Sequence, residues 1–134
     1  MSLSDEQFKT LIHLLLEKST RNMEQAEANA RLNYWDLVAN RLYYSLFHAV
    51  TALMQTDGLK LGTHKGTSAQ FGKNYVLTGI FDRNDGILYS RLQTMREKAD
   101  YQNTFTLDEE AGMKLLEDAK QLRDKIYNLI QTKL

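Results

Sequence analysis

Apolar residues recur at helical spacing along most of the chain and predict four long helices and one short helix. The first is predicted from Ser4 to about residue 29, and Ser4 with Gln7 three positions later has the pattern of a capping box. The second is predicted to begin near Asn33, whose side chain can cap it, and to end at Asp57-Gly58, a left-handed C-terminal signal. Its apolar positions are Trp35, Val38, Leu42, Leu46, Ala49 and Leu53.

The second half of the chain opens with its clearest loop, residues 58–66 with the sequence GLKLGTHKG. A short helix is predicted over about 67–78, followed by a longer one over about 83–99 that Asp82 can cap. Thr106 and Glu109 have capping-box spacing, so the last helix is predicted to run from there to the C-terminus.

Helical periodicity alone sets the predicted fold class, because no segment shows the sustained period-two alternation of a strand. The prediction is an all-α fold, an up-and-down-type bundle of four principal helices plus one short helix. A length of 134 residues predicts a single domain over residues 1–134.

Composition narrows the classes of function. Lysine plus arginine equals aspartate plus glutamate at 17 each, which argues against coating nucleic acid through bulk charge but permits a small basic site. The chain has no cysteine, and its histidines and acids show no metal-ligand spacing, so neither a metal nor a cofactor is expected. Without a long apolar run or a leader pattern, the expected location is the cytoplasm, with no membrane partner.

The stretch NRLYYSLFH, residues 40–48, carries more polar groups than a core helix needs. At 100° per residue, Arg41 and His48 lie within about 20° of the same line. Tyr44 and Ser45 fall between them, so the four residues are predicted to form one polar strip. Tyr43 is expected to point towards the packing side.

Such a strip suits phosphate chemistry. Arginine grips a phosphate or stabilises charge that develops on it, and histidine transfers protons near neutral pH. Arg41 and His48 could therefore cleave RNA without a metal, His48 either assisting attack by a 2′-hydroxyl or protonating the leaving oxygen. The spacing equally allows a structural histidine and an arginine that pairs with Asp36, Asp100 or another acid.

Two other groups of residues carry weaker signals. The run THKG at 63–66 could bind a phosphate through backbone N–H groups and Lys65, although a capping turn ahead of the short helix is the simpler interpretation. Arg96 and Asp100 have the spacing of a helical ion pair, and Asp100 with Tyr101 is expected to anchor the end of that helix.

The order of these motifs resembles the HEPN domain family over roughly residues 20–132. The resemblance is carried by ANRLYYSLFHAVTALM, GTHKG, FGKNYVLTG, LYSRLQTMREKADY and the acidic start of the last helix. It implies a small helical bundle that commonly forms a homodimer, and it keeps His64 and Lys65 as secondary site residues. Many HEPN proteins are metal-independent RNases that use an arginine, four to six intervening residues and a histidine, a pattern that Arg41 and His48 match with six.

The resemblance also implies partners. Many HEPN proteins act as toxins beside a small nucleotidyltransferase antitoxin, whereas others are nucleotide-binding or accessory modules. In one toxin subgroup the antitoxin modifies a tyrosine just beyond the histidine, but here Ala49 and Val50 follow His48. Regulation at that position is therefore not expected.

Three hypotheses follow. The first is a homodimeric RNase that acts on RNA, as a toxin or an RNA-processing component, with Arg41 and His48 catalytic and Tyr44, Ser45, His64 and Lys65 in support. The second is a catalytically silent module that binds a nucleotide or a nucleotidyltransferase. In the third hypothesis, the polar strip is purely structural and forms part of the interface between two subunits.

Overall fold

The computed structural model describes residues 4–60, 62–101 and 106–134, and the side chains of residues 100 and 101 lie outside that description. Its helices, in chain order, are α1 (Asp5–Arg31), α2 (Trp35–Thr56), α3 (His64–Phe71), α4 (Arg83–Tyr101) and α5 (Glu109–Lys133). A π-helical turn at Gly72–Val76 continues α3. The described residues form helices and no strand, so the prediction of an all-α fold with four long helices and one short one is confirmed.

The centre of the bundle is α2, which packs against each of the other four helices. Apolar side chains from all of these helices meet around it in one core. The largest fully buried aliphatic side chains of this core are Ile12, Leu42, Leu46, Leu53, Met54, Leu92, Leu122 and Ile126. In the part of the chain that the structure describes, no helix is both long and apolar enough to cross a membrane.

Two predicted helix ends are confirmed in atomic detail. At the start of α1, the Gln7 N–H donates to Ser4 Oγ at 3.1 Å and the Ser4 N–H donates to Gln7 Oε1 at 3.0 Å, which completes the capping box. At the end of α2, Gly58 has φ 71° and the Leu59 N–H donates to the Met54 carbonyl, which is the Schellman arrangement.

The predicted cap of α2 at Asn33 is wrong. Asn33 has φ 61°, and its N–H donates to the Ala30 carbonyl while the Tyr34 N–H donates to the Asn29 carbonyl. These bonds close α1 with a Schellman motif, and asparagine tolerates the left-handed position that the motif needs. Asn33 therefore ends the first helix, and the second begins at Trp35.

The loop predicted over 58–66 is too long. The Thr63 side chain accepts the Gly66 N–H at 3.0 Å, so α3 begins at His64, three residues before the predicted start. This threonine cap brings His64 and Lys65 into the first turn of a helix. The structure confirms the simpler interpretation of the THKG run, a capping turn ahead of the short helix.

Aspartates cap the last two helices. The Asp85 N–H donates to Asp82 Oδ1 at 3.0 Å, as predicted for the start of α4. The capping box predicted from Thr106 is wrong, because Asp108 Oδ1 accepts the Ala111 N–H at 2.8 Å and caps α5 two residues later.

A close approach between α5 and α2 makes Gly112 a sensitive position. A Cβ at Gly112 would lie 2.4 Å from Cε3 and 2.7 Å from Cζ3 of Trp35. We expect Gly112→Ala to lower the free energy of unfolding by about 1–3 kcal/mol through overpacking, even though alanine favours a helix by about 1 kcal/mol. Urea unfolding followed by circular dichroism measures this change.

The matched control is Gly72→Ala. Gly72 has right-handed helical angles, φ −60° and ψ −49°, and its added Cβ would meet no atom within 4 Å. This variant is expected to unfold at the same urea concentration as the wild type or at a higher one. Equal stability of the Gly112→Ala protein and the wild type would contradict the argument.

Candidate functional site

One side of α2 carries Arg41, Tyr44 and His48, all half-buried, which are three of the four residues predicted to form the polar strip. The Arg41 Cζ lies 5.4 Å from the centroid of the Tyr44 ring, and the His48 ring centroid lies 6.3 Å from the same point. The guanidinium and the imidazole are therefore both neighbours of one tyrosine, on a continuous stretch of helix surface.

Neutral amide oxygens hold the guanidinium of Arg41. Its Nη1 donates to Asn22 Oδ1 at 3.0 Å and to Gln25 Oε1 at 3.4 Å, both on α1, and its Nε donates to Asn40 Oδ1 at 2.9 Å. Among the described residues these partners fix the side chain without neutralising it, in place of the pairing with Asp36 that the sequence left open. The side chain of Asp100, the other acid named as a partner, lies outside the described residues. A fixed positive charge of this kind suits an anion such as a phosphate.

A second guanidinium reaches the strip from α4. The Arg96 Cζ lies 5.0 Å from the Tyr43 ring centroid and 5.8 Å from that of Tyr44, and Nη1 donates to the Tyr44 hydroxyl at 3.3 Å. The tyrosine at 44 therefore has two arginines close to its ring. The sequence predicts an ion pair between Arg96 and Asp100. That prediction is not tested, because the side chain of Asp100 lies outside the described residues.

The protonation of His48 is shifted by its surroundings. Burial lowers the pKa of His48 below its ordinary value of 6.5, and the positive charges of Lys18 and Arg41, with His64, lower the pKa further. The imidazole is therefore mainly uncharged at neutral pH, which is the form that accepts a proton.

A second histidine, His64, lies against the same group of aromatic rings. Its Nδ1 is 2.7 Å from the hydroxyl of Tyr43, and its ring stacks on Phe47 with centroids 4.3 Å apart. The Tyr44 ring meets it edge-on at 6.0 Å. Burial lowers the pKa of His64, and the nearby charge of Arg96 lowers it further. The N-terminus of α3 thus brings an imidazole to α2.

Two of the supporting residues lie apart from these groups. Ser45 is fully buried and its hydroxyl donates to the Ser19 carbonyl at 2.8 Å, so it joins α2 to α1 and its predicted place on an accessible strip is wrong. Lys65 is exposed in the first turn of α3. Tyr43 is fully buried, as predicted, although its hydroxyl reaches His64.

The model of the HEPN domain matches residues 12–129 of the chain. The chain belongs to the HEPN family. A UPF0332 protein of Thermotoga maritima is 34% identical over 92 residues, which cover 69% of this HEPN chain and 70% of the relative. A protein of Methanocaldococcus jannaschii named "Putative toxin MJ0605" is 29% identical over 131 residues, covering 97% and 96% of the two chains. A second one, "Putative toxin MJ0142", is 26% identical over 116 residues, covering 87% and 79%.

Within this HEPN chain, the residues after the histidine are part of the core. Ala49 and Val50 are both fully buried on α2. Their side chains carry no hydroxyl, and both pack in the core of the bundle. Neither position therefore offers a hydroxyl or access from solvent.

The HEPN site therefore combines two guanidinium groups and two imidazoles around aromatic rings. Among the described residues, no group of three or more histidine, aspartate or glutamate side chains could hold a metal ion. The arrangement can bind an anion through Arg41 and can move protons through His48 and His64.

Proposed function

We propose that this HEPN protein is a metal-independent RNA endonuclease that works as a toxin or as an RNA-processing component. The observation that carries the proposal is the placement of Arg41 and His48 beside one tyrosine on α2, with the arginine held by neutral amides. The relatives named as toxins support the toxin role.

The proposed reaction is attack of a ribose 2′-hydroxyl on its own phosphate. Arg41 holds the phosphate and stabilises the negative charge that develops as the attack proceeds. His48 transfers a proton, and its lowered pKa supplies the uncharged form at neutral pH. These two groups perform the tasks that a metal ion performs in other nucleases.

We infer that the protein works in the cytoplasm as a homodimer. A net charge of zero leaves little repulsion between copies of the chain. A nucleotidyltransferase partner fits the toxin role, but its control would act elsewhere than at Ala49 or Val50, since both are buried.

Replacing Arg41 tests the phosphate-binding role. In the presence of a chelator, wild-type protein is expected to cleave RNA, and Arg41→Ala to cleave it about 10²–10³-fold more slowly, as for loss of one charge-stabilising donor. Arg41→Lys is expected to restore only part of the rate, because an ammonium group lacks the planar fork that binds two oxygens. Gel-resolved cleavage of labelled RNA gives the rates.

Arg91→Ala is the matched control, because Arg91 is an exposed arginine on α4. It is expected to cleave at the wild-type rate. Equal rates for Arg41→Ala and the wild type would contradict the site assignment. If the wild type binds nucleotides tightly in a thermal-shift assay and cleaves no RNA, the silent binding module is the correct function.

A further inference from the structure

We propose that His64 is the second proton-transfer group of the site and protonates the leaving 5′ oxygen, while His48 accepts the proton of the attacking 2′-hydroxyl. This inference rests on the ribonuclease function proposed above. It gives separate roles to two histidines on different helices, His48 on α2 and His64 on α3. Tyr43 is the residue that positions His64.

The first support is that both imidazoles border the same two aromatic side chains. The ring centroid of Phe47 lies 5.7 Å from that of His48 and 4.3 Å from that of His64. Tyr44 also borders both imidazoles, with centroid distances of 6.3 and 6.0 Å. Two proton-transfer groups around one phosphate are what cleavage by internal attack requires, because one oxygen loses a proton while another gains one.

The second support is the way in which Tyr43 holds the His64 ring. The hydroxyl of Tyr43 is 2.7 Å from Nδ1, and burial raises the pKa of Tyr43 to about 12, so the phenol stays neutral. A neutral hydroxyl accepts from a protonated Nδ1 and donates to an unprotonated one. The bond therefore persists through a catalytic cycle and leaves Nε2 as the nitrogen that exchanges a proton with RNA.

The placement of each ring and its neighbours assigns the roles. His48 has Lys18 from α1 and Arg41 from its own helix as cationic neighbours, with His64 beside it on α3. His64 has Arg96 of α4 as its cationic neighbour, together with Tyr43 on α2. His48 lies on the same side of α2 as Arg41, the phosphate-binding group, so His48 is the base, and His64, held on α3 by Tyr43, is the acid.

The proton and electron balance closes without a further reactant. The 2′ oxygen bonds to phosphorus as its proton passes to His48, and the bond from phosphorus to the 5′ oxygen breaks. Protonated His64 gives its Nε2 proton to that oxygen. The products are a 2′,3′-cyclic phosphate and a 5′-hydroxyl, and exchange with water returns each histidine to its starting state.

The test compares two leaving groups. An RNA oligonucleotide with one mapped cleavage site is made with the natural 5′ oxygen or with sulfur at that position, because a thiolate leaves without being protonated. We expect His64→Ala to slow cleavage of the oxygen substrate by about 10²–10⁴-fold and to cleave the sulfur substrate near the wild-type rate. His48→Ala is expected to slow both.

Further variants separate a chemical role from a structural one. Tyr43→Phe keeps the buried ring and removes the hydroxyl, so it is expected to lower kcat on the oxygen substrate with little change in KM. His13→Ala, at an exposed histidine of α1, is the control for an altered histidine and is expected to match the wild type. Circular dichroism confirms that each variant is folded.

Three outcomes overturn the inference. Equal losses on both substrates in His64→Ala would make His64 structural or the base, and no loss on either would remove it from the reaction. A wild type that cleaves neither substrate refutes the ribonuclease function, and the role of His64 falls with it. Wild-type cleavage with either of the first two results leaves the function standing and refutes only the role of His64.

Discussion

His48→Ala is expected to slow RNA cleavage by about 10²–10⁴-fold at neutral pH, the usual effect of losing a general base. The loss follows from the position of the imidazole beside Tyr44 and Arg41 on α2. Removing a half-buried ring from the surface of the strip leaves the core residues in place. The expected change is therefore in kcat, with the wild-type circular dichroism spectrum retained.

The pH dependence gives a second readout of the same variant. Because burial and nearby cations lower the pKa of His48 below 6.5, its uncharged form persists to lower pH than in a free histidine. On the acidic side of its pH profile, wild-type kcat/KM is expected to fall as the pH drops below 6.5, when His48 gains a proton. His48→Ala is expected to lose that acidic limb, measured from cleavage rates between pH 4.5 and about 8.

A rate in His48→Ala close to that of the wild type would contradict the role of this histidine. His13→Ala again serves as the control, since His13 lies exposed on α1. A wild-type acidic limb that remains in His48→Ala would show that another group titrates there.

Local rules predict much of the fold because helix ends depend on residues close in sequence. The capping box of Ser4 and the left-handed Gly58 involve only neighbours within five residues. The errors have the same local origin. Asn33 suits both a helix start and a left-handed helix end, and Thr106 and Asp108 compete for one start. Spacing alone does not rank such competitors.

The sequence predicts only the part of the site that lies on a single helix, α2. On a helical wheel Ser45 lies about 40° to one side of Arg41, and Tyr44 about 60° to the other. The packing of α1 covers the serine side, and a sequence read helix by helix does not show which flank is covered. His64 and Arg96 reach the strip through the packing of α3 and α4, which local periodicity does not determine.

Leu46→Ala is expected to lower the free energy of unfolding by about 2–5 kcal/mol, the range for a fully buried leucine cut back to alanine. Leu46 has no exposed surface and belongs to the core around α2, where a lost side chain leaves a cavity. Urea unfolding followed by circular dichroism measures the change, and an unchanged slope shows that the midpoint reports stability.

Leu37→Ala is the matched control, because Leu37 lies on the same helix with 46% of its surface exposed. It is expected to change stability by about 0.5 kcal/mol or less. Leu46 points about 140° away from Arg41 on the helical wheel, so folded Leu46→Ala protein should cleave RNA at the wild-type rate. A loss of activity in this variant, measured well below its unfolding temperature, would mean that core packing sets the geometry of the strip. Equal stabilities for the two alanine variants would contradict the burial of α2 at the centre of the bundle.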